Sequence, residues 1–209
     1  MSEYISKIEN SLFPLIRNIK NLNILELGVQ KGRSTLRFLE ICGKNNGKLY
    51  SVDTDDCSNV SNDINWKFIQ SRDDNFKYIK SVIPEKLDVI FIDTLHEDKH
   101  VKKLIYNYYN LLKPGGYIFI DDISHLPYLN KKKTSFYCEI NNKETFNEIL
   151  KIYYFNQDNF HLNFSFESSG LAIIKKKNVQ NLNETKKMKS RENSIKNIIR
   201  LILKNINEK

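Results

Sequence analysis

The chain has 209 residues, a mass of 24.7 kDa and a formal net charge of +8, and this length suits one ordinary domain with a short appendage. It contains no apolar run near the roughly twenty residues that cross a bilayer, and its first residues mix charges throughout, so we expect a cytoplasmic protein without a secretory signal. Three scattered cysteines, none in a C-x-x-C pair, argue against a disulfide framework and a thiolate zinc site.

The positive charge is concentrated at the C-terminus. Residues 1–174 carry 22 basic and 22 acidic side chains, whereas residues 175–209 carry 11 and 3. Because the body of the chain is neutral, we expect no nucleic-acid substrate, and any anionic partner should meet the tail.

The predicted elements begin with an N-terminal helix over residues 1–20, followed by a domain over residues 21–176. In this domain, short runs rich in Val, Ile and Leu alternate with helical patterns, as expected of buried parallel strands joined by helices. The predicted strands are LNILELGV, KLYSVD, WKFIQ, LDVIFID and GGYIFIDD.

Two apolar stripes predict helices after the first and fourth strands. The first stripe is Thr35, Phe38, Leu39 and Cys42, and the second, which KPGG then stops, is Val101, Leu104, Ile105, Tyr108 and Leu112. Repeated strand-helix units predict a right-handed, doubly wound α/β sheet with helices on both faces. FHLNFSFE and LAIIKK, joined by SSG, add an antiparallel hairpin at one edge.

The last predicted element is a helix at the end of a basic tail, residues 177–209. Its apolar stripe consists of Ile195, Ile198, Ile199, Ile202 and Ile206. Such a helix can dock on the domain or a partner, including a second copy in a homo-oligomer, or lie on an anionic membrane surface. Docking is favoured, because the helix lacks the Trp and Phe that are frequent in interfacial helices.

Ligands of such sheets bind beyond the carboxyl ends of the strands, and the segment ELGVQKGRS follows the first of them. Gly28 and Gly32 let the backbone of this strand-to-helix turn curl and approach a ligand closely. Free amides and Ser34 at the helix start suit an anionic group such as a carboxylate. The dinucleotide pattern G-x-G-x-x-G is absent, because Gln30 replaces its second glycine, and NAD is therefore disfavoured.

This turn, the acid that ends the second strand at Asp53 and the segment LLKPGGYIFIDD together resemble a class I S-adenosylmethionine-dependent methyltransferase. The resemblance covers about residues 20–176. It implies a Rossmann-like, mostly parallel seven-stranded sheet and S-adenosylmethionine as the cofactor.

The resemblance also implies cofactor-binding residues, which are Glu26, Gly28, Gly32, Ser34, Asp53 and Asp73. In that family the glycine turn holds the methionine part of the cofactor, with Gly28 and Ser34 at its amino-carboxylate end. The acid matching Asp53 bonds the ribose hydroxyls. Asp73 lies where the family contacts adenine, although the usual glycine-aspartate pair is not reproduced there.

An acidic cluster is predicted at the ends of the fourth and fifth strands. Asp93 follows one, and Asp121 and Asp122 end the other. If these strands are neighbours, at a spacing of about 4.8 Å, their carboxylates converge and repel one another unless a cation is present. Oxygen ligands favour Mg²⁺, Mn²⁺ or Ca²⁺ over zinc.

This layout resembles the metal-dependent O-methyltransferases of the catechol and caffeoyl-CoA type and of the macrolide-sugar and cephalosporin-pathway type. The resemblance implies that Mg²⁺ binds Asp93, Asp121 and Asp122. Both types place a base three residues beyond the first ligand, and a histidine is typical of the sugar type, as His96 is here.

The implied reaction is methyl transfer to a hydroxyl of a small molecule or sugar. Mg²⁺ would lower the pKa of the hydroxyl and His96 would accept its proton. The alternatives are a metal-independent methyltransferase of the same fold, a zinc peptidase, and a non-catalytic cofactor-binding or scaffold protein.

The peptidase alternative comes from HEDKH, residues 96–100, which matches the H-E-x-x-H pattern of zinc peptidases. Those enzymes carry both histidines on one face of an established helix. Here LDVIFID predicts a strand directly before the motif, so the helix is only beginning. We therefore disfavour zinc and expect His100 to be a surface helix residue.

A segment without periodicity, Ser124–Glu139, is the candidate for acceptor selection. It carries Tyr128, Phe136 and Tyr137, which could stack on a sugar or ring, and three lysines at positions 131–133 that could attract an anion. A solvated connecting loop is the alternative.

Overall fold

A computed structural model describes residues 3–124, 136–188 and 194–207. Its centre is a seven-stranded sheet in the order β3-β2-β1-β4-β5-β7-β6. The strands are β1 Asn23–Leu27, β2 Lys48–Asp53, β3 Trp66–Gln70, β4 Leu87–Ile92, β5 Leu112–Asp121, β6 Phe160–Ser165 and β7 Leu171–Lys176. The first five pair in parallel, and β7 is antiparallel to both β5 and β6. The predicted doubly wound sheet with its C-terminal hairpin is confirmed.

Helices cover both faces of this sheet. They are α1 Glu3–Lys7, α2 Phe13–Ile16, α3 Arg33–Asn45, α4 Phe76–Val82, α5 Asp98–Tyr108, α6 Phe136–Phe155 and α7 Ile195–Asn207, with a π-helical turn at Ile8–Leu12 and a 3-10 turn at Tyr109–Leu111. One core lies between the sheet and α4, α5 and α6. The other lies between the sheet and the N-terminal helices with α3.

The two predicted helical stripes are buried as expected. In α3, the side chains of Phe38 and Cys42 are fully buried, and in α5 those of Leu104, Ile105 and Tyr108 are. Asn46 ends α3 in the left-handed conformation, with φ 55°, and its N–H bonds the Cys42 carbonyl. The helix therefore ends within the polar segment CGKNNGK.

The KPGG segment was predicted to stop the helix of the second stripe, but α5 ends earlier, at Tyr108, and Leu112 of that stripe begins β5. KPGG is therefore not the point at which the helix stops. The segment belongs to the start of β5, and the pairing of β5 with β4 shifts register between Leu87 and Val89. Pro114 has no N–H to give to a regular ladder, and such residues are tolerated where a strand bulges.

The segment Ser124–Glu139 was predicted to lack regular structure, but α6 begins at Phe136. That part of the prediction is wrong, because the buried Ile149 and Ile152 anchor a 20-residue helix against the sheet. Tyr128 and the three lysines lie at positions outside the described residues.

The C-terminal stripe is present on α7 but is not covered by the domain. Ile195 is 77% exposed and Ile202 is 54% exposed. Within the part of the chain that the structure describes, these side chains are therefore not docked on the domain. No helix among the described residues has the length and apolar character needed to cross a membrane.

Candidate functional site

A cavity of about 490 Å³ opens at the carboxyl ends of the parallel strands. This volume is in the range of small-molecule sites. Eight of the predicted site residues line it, namely Gly28, Ser34, Asp53, Asp73, Asp93, His96, Asp121 and Asp122. Among the described residues, the remaining two, Glu26 and Gly32, lie outside the lining.

Gly28 is required by the way β1 and β4 end side by side. Its φ is +98°, and a Cβ built there would lie 1.8 Å from the carbonyl oxygen of Asp93. Gly32 begins α3 with φ +69°, and a Cβ there would lie 2.2 Å from the side chain of Val60. The two glycines thus give the turn its shape, and Gly28 also leaves open backbone on the cavity wall.

Glu26 lies beneath the cavity, fully buried, and accepts three hydroxyl hydrogen bonds. Ser34 Oγ donates at 2.6 Å, Thr35 Oγ1 at 2.8 Å and Ser51 Oγ at 2.6 Å. Burial raises the pKa of Glu26 to about 7, although the hydroxyl hydrogen bonds act in the opposite direction. The carboxyl group therefore fixes Ser34 at the helix start and reaches the cavity only through it.

Asp53 shapes the opposite side of the glycine turn. Its Oδ2 accepts hydrogen bonds from the N–H groups of Val29 at 2.8 Å and Gln30 at 3.0 Å. Burial alone would raise the pKa of Asp53, but these backbone hydrogen bonds outweigh it and hold the pKa below its ordinary value. Asp53 is thus a charged acceptor on the cavity wall.

Asp73, the residue predicted near adenine, is held by α5. The His100 ring nitrogen Nε2 lies 2.8 Å from Asp73 Oδ2, and the Tyr108 hydroxyl donates to the Asp73 carbonyl at 2.6 Å. The prediction that His100 is a surface residue is wrong, since its side chain is only 11% exposed. Its contact joins residues 27 positions apart, which local periodicity does not reveal.

The acidic residues of β4 and β5 do converge. The two strands are neighbours, with Ile92 opposite Ile120, so Asp93 and Asp121 follow at adjacent strand ends. His96 lies beside them, with Nε2 3.5 Å from Asp93 Oδ1 and 3.3 Å from Asp122 Oδ2. Asp122 itself has a left-handed backbone, with φ 57°.

Two residues of the N-terminal helix, both missed by the sequence analysis, complete this cluster. The Tyr4 hydroxyl lines the cavity and donates to Asp93 Oδ2 at 2.7 Å. Lys7 forms a buried ion pair with Asp121 and donates to Ser169 Oγ at 2.7 Å. The sequence did contain one signal for them: Tyr4, Lys7 and Ile8 have the i, i+3 and i+4 spacing of one helical stripe, on the side of this segment that is buried.

Burial dominates the electrostatics of the cluster. It raises the pKa of Asp93 and of Asp121, while the Lys7 ammonium opposes the shift at both carboxyls. Burial and the neighbouring carboxylates also raise the pKa of Tyr4 far above its ordinary value, so its hydroxyl stays protonated and can donate.

The acidic cluster, as arranged, does not fit a Mg²⁺ site. Asp121 Oδ1 is already taken by the Lys7 ammonium and by the N–H of Asp122 at 2.7 Å, and Asp93 Oδ2 by Tyr4. Within the described ranges, no group of three or more His, Cys, Asp or Glu side chains is disposed to hold a metal ion. Mg²⁺ needs near-octahedral oxygen ligation, for which these oxygens are poorly available.

The histidines of HEDKH do not act together. His96 precedes α5 and faces Asp93 and Asp122, whereas His100 lies in its first turn and faces Asp73. A peptidase motif requires both rings on one metal, so this geometry gives no support to the peptidase alternative.

One family model and several solved structures match this chain. Residues 25–123 match a family model described as a methyltransferase domain. A Staphylococcus aureus protein assigned as a caffeoyl-CoA O-methyltransferase shares 20% identity over 84% of each chain, with a TM-score of 0.62. The comparison with curated proteins gave no match.

Two further solved structures share the fold. The mycinamycin-pathway methyltransferase MycE, in complex with Mg and SAH, is 20% identical over 81% of this chain and 49% of its own, with a TM-score of 0.62. This chain thus spans about half the length of MycE. An SAH-bound methyltransferase of Podospora anserina is 16% identical over 75% of this chain and 72% of its own, with a TM-score of 0.61.

Proposed function

We propose that the chain is a class I S-adenosylmethionine-dependent methyltransferase and that it transfers the methyl group to a hydroxyl oxygen of a small molecule or sugar. The observation that carries this proposal is the position of His96. Its ring lies on the cavity wall, between the carboxylates of Asp93 and Asp122.

The glycine-turn side of the cavity suits the cofactor. Free backbone at Gly28 and the hydroxyl-bearing Ser34 lie at the start of α3, where unpaired N–H groups favour a carboxylate. Asp53, held as a carboxylate by the loop amides, is an acceptor for ribose hydroxyls. We assign the adenine contact to Asp73, whose side chain is held by His100.

The other side of the cavity suits a proton transfer. His96 Nε2 faces two carboxylates, so we assign its proton to this atom and assign to Nδ1 the lone pair that accepts a proton from the acceptor hydroxyl. Asp93 and Asp122 then stabilise the imidazolium that forms, as opposite charges nearby favour the charged form. Positioned general bases of this kind contribute about 10²–10⁴-fold in rate.

The bound cofactor supplies a methyl group on a positively charged sulfur. The acceptor oxygen would lose its proton to His96 and bond the methyl carbon while the carbon–sulfur bond breaks, and neutral S-adenosylhomocysteine would leave. No covalent enzyme intermediate is needed. The cavity walls contribute by holding the acceptor oxygen in line, an orientation effect worth up to about 7–11 kcal/mol in favourable systems. Mg²⁺ has no part in this proposal, because two of the three carboxylates that would bind it are engaged, Asp121 by Lys7 and Asp93 by Tyr4.

Calorimetric titration with S-adenosylhomocysteine tests the cofactor site. We expect micromolar binding to the wild type and a loss of at least tenfold in Asp53→Ala, which releases the glycine turn. Asp55→Ala is the matched control, because this exposed neighbour lies outside the cavity lining and should bind as the wild type does. A wild-type protein that does not bind the compound contradicts the proposal.

Transfer of a labelled methyl group to a panel of small phenols and sugars tests the acceptor side. With any acceptor found, His96→Gln should lower the rate by about 10²–10⁴-fold and leave S-adenosylhomocysteine affinity within threefold of the wild type. An unchanged rate would remove His96 from the reaction without affecting the cofactor assignment.

A further inference from the structure

Lys7 is an unusual lysine, because its side chain is fully buried beside a buried acid. Its exposed fraction is 0%, and that of its ion-pair partner Asp121 is 1%. The ammonium also donates to Ser169 Oγ at 2.7 Å, lies 3.5 Å from the Gly170 carbonyl and 5.2 Å from the centre of the Tyr4 ring. A buried lysine is costly unless paired and hydrogen-bonded, and here both conditions are met.

Asp121, the partner of Lys7, belongs to the acidic cluster whose charge repulsion a divalent cation was expected to relieve. Asp93, Asp121 and Asp122 gather at two adjacent strand ends. Lys7 supplies a positive charge within this cluster, Tyr4 supplies a hydrogen-bond donor, and His96 supplies a ring that faces two of the acids. The repulsion between the carboxylates is therefore relieved by groups of the chain itself.

A divalent cation cannot simply join this arrangement. An ion bound by Asp121 would lie beside the Lys7 ammonium, and like charges at such short range repel strongly in a buried site. Lys7 cannot easily leave, because the chain that directly follows it is anchored by Ile8, Leu12 and Ile16, which are all fully buried. Moving Lys7 away from Asp121 would draw that apolar stripe out of the core.

We propose that Lys7 is a built-in counter-cation that replaces the divalent metal at this site, so that the acidic cluster and His96 are assembled without Mg²⁺. This inference rests on the proposed methyl transfer. Lys7 is a positioning residue rather than a catalytic one, because its ammonium is buried behind Asp121 and, within the described residues, is not part of the cavity lining.

The test is to add MgCl₂ alone to the cofactor-free protein. Calorimetry measures binding, and thermal unfolding measures the shift in melting temperature. The wild type should show no binding and no shift. Lys7→Met keeps the length of the side chain and removes its charge, so it should acquire a Mg²⁺ response. At ten times the dissociation constant, we expect its melting temperature to rise by about 2–6 °C.

Lys176→Met is the matched control. Lys176 is also a buried lysine, 3% exposed, but its ammonium bonds the Tyr109 carbonyl rather than a carboxylate of the cluster. Its substitution should cost stability and confer no response to Mg²⁺. A response that appeared equally in both variants would overturn the proposal.

Mg²⁺ binding by the wild type, or loss of its methyl transfer on chelation, would also overturn the proposal, even if Lys7→Met failed to fold. So would a folded Lys7→Met protein without a Mg²⁺ response. These outcomes are separate from failure of the proposed function, which is decided by S-adenosylhomocysteine binding to the wild type.

Discussion

At the scale of single residues, Gly28 shows how tightly the backbone and the site are linked. The turn after β1 passes so close to the end of β4 that a Cβ would collide with the carbonyl oxygen of Asp93. Asp93 is also the residue that accepts from Tyr4 and faces His96. Any side chain at Gly28 must therefore displace backbone that carries the acidic cluster.

Gly28→Ala should lower the free energy of unfolding by about 2–5 kcal/mol, since it adds left-handed strain to a backbone collision. Urea unfolding measures this. The control is Gly43→Ala in α3, where a Cβ meets nothing within 4 Å, and it should stabilise the protein by about 0.5–1 kcal/mol. Equal effects of the two changes would contradict this view of Gly28.

Glu26 predicts a pH dependence of stability. Burial raises its pKa from 4.5 to about 7 in the folded protein, so between these values the folded state holds a proton that the unfolded state has lost. The Glu26 contribution to stability is therefore complete below about pH 4.5 and is lost as the pH rises through about 7, a change of about 3 kcal/mol.

Glu26→Gln removes this titration. Its free energy of unfolding relative to the wild type should therefore rise between pH 5 and pH 8, as measured by urea unfolding at each pH. Glu40→Gln, whose side chain is half exposed on α3, controls for the loss of one acidic side chain. A constant difference between Glu26→Gln and wild type would show that the three hydroxyls keep Glu26 ionised throughout.

At the scale of elements, the N-terminal helical segment links the core to the site. Tyr4 and Lys7 contact the acidic cluster, and the next residues of the same stripe, Ile8 and Leu12, are buried in the core on that face. Ile8 and Leu12 are the first and last residues of the π-helical turn that directly follows Lys7. Packing of this segment therefore sets the position of both polar side chains.

Leu12→Ala should cost about 2–5 kcal/mol of stability, as is usual for a cavity in a packed core. Leu15→Ala on the same segment is the control, because Leu15 is 39% exposed, and it should change stability by no more than about 0.5–1 kcal/mol. Thermal unfolding followed by circular dichroism distinguishes them. A Leu12 variant as stable as the wild type would mean that the segment does not fold with the domain.

The C-terminal helix α7 differs from the N-terminal segment in that its described apolar side chains are not buried. The apolar side chains of α7 remain largely exposed on a helix that also carries Lys196, Arg200 and Lys204. Its proposed docking on a partner or a second copy of the chain thus remains a prediction, as does contact with an anionic membrane surface.

At the scale of the whole molecule, the order of the strands creates the site. Because β1 lies between β2 and β4, the glycine turn has Asp53 on one side and Asp93 on the other. The neighbouring β5 then adds Asp121 and Asp122. One cavity thereby combines a face suited to the cofactor with a face suited to proton transfer.

The sequence by itself determined the strand-helix alternation, the buried stripes of α3 and α5, and the acids at strand ends. These features are local, because the period of apolar residues reports the element that they form and parallel strands present their carboxyl ends at one edge. The long helix α6 was missed, since its apolar residues are distributed around the helix and leave no clear stripe.

Only the tertiary structure decided which groups meet the acidic cluster. Lys7 and Asp121 are 114 positions apart, and Tyr4 and Asp93 are 89 apart. Nothing in the local pattern around Asp121 specifies that a lysine from the first helix will pack against it, because such pairing depends on how distant apolar surfaces are buried together. The sequence therefore predicted that the carboxylates need a cation, and the fold supplied one from the chain itself.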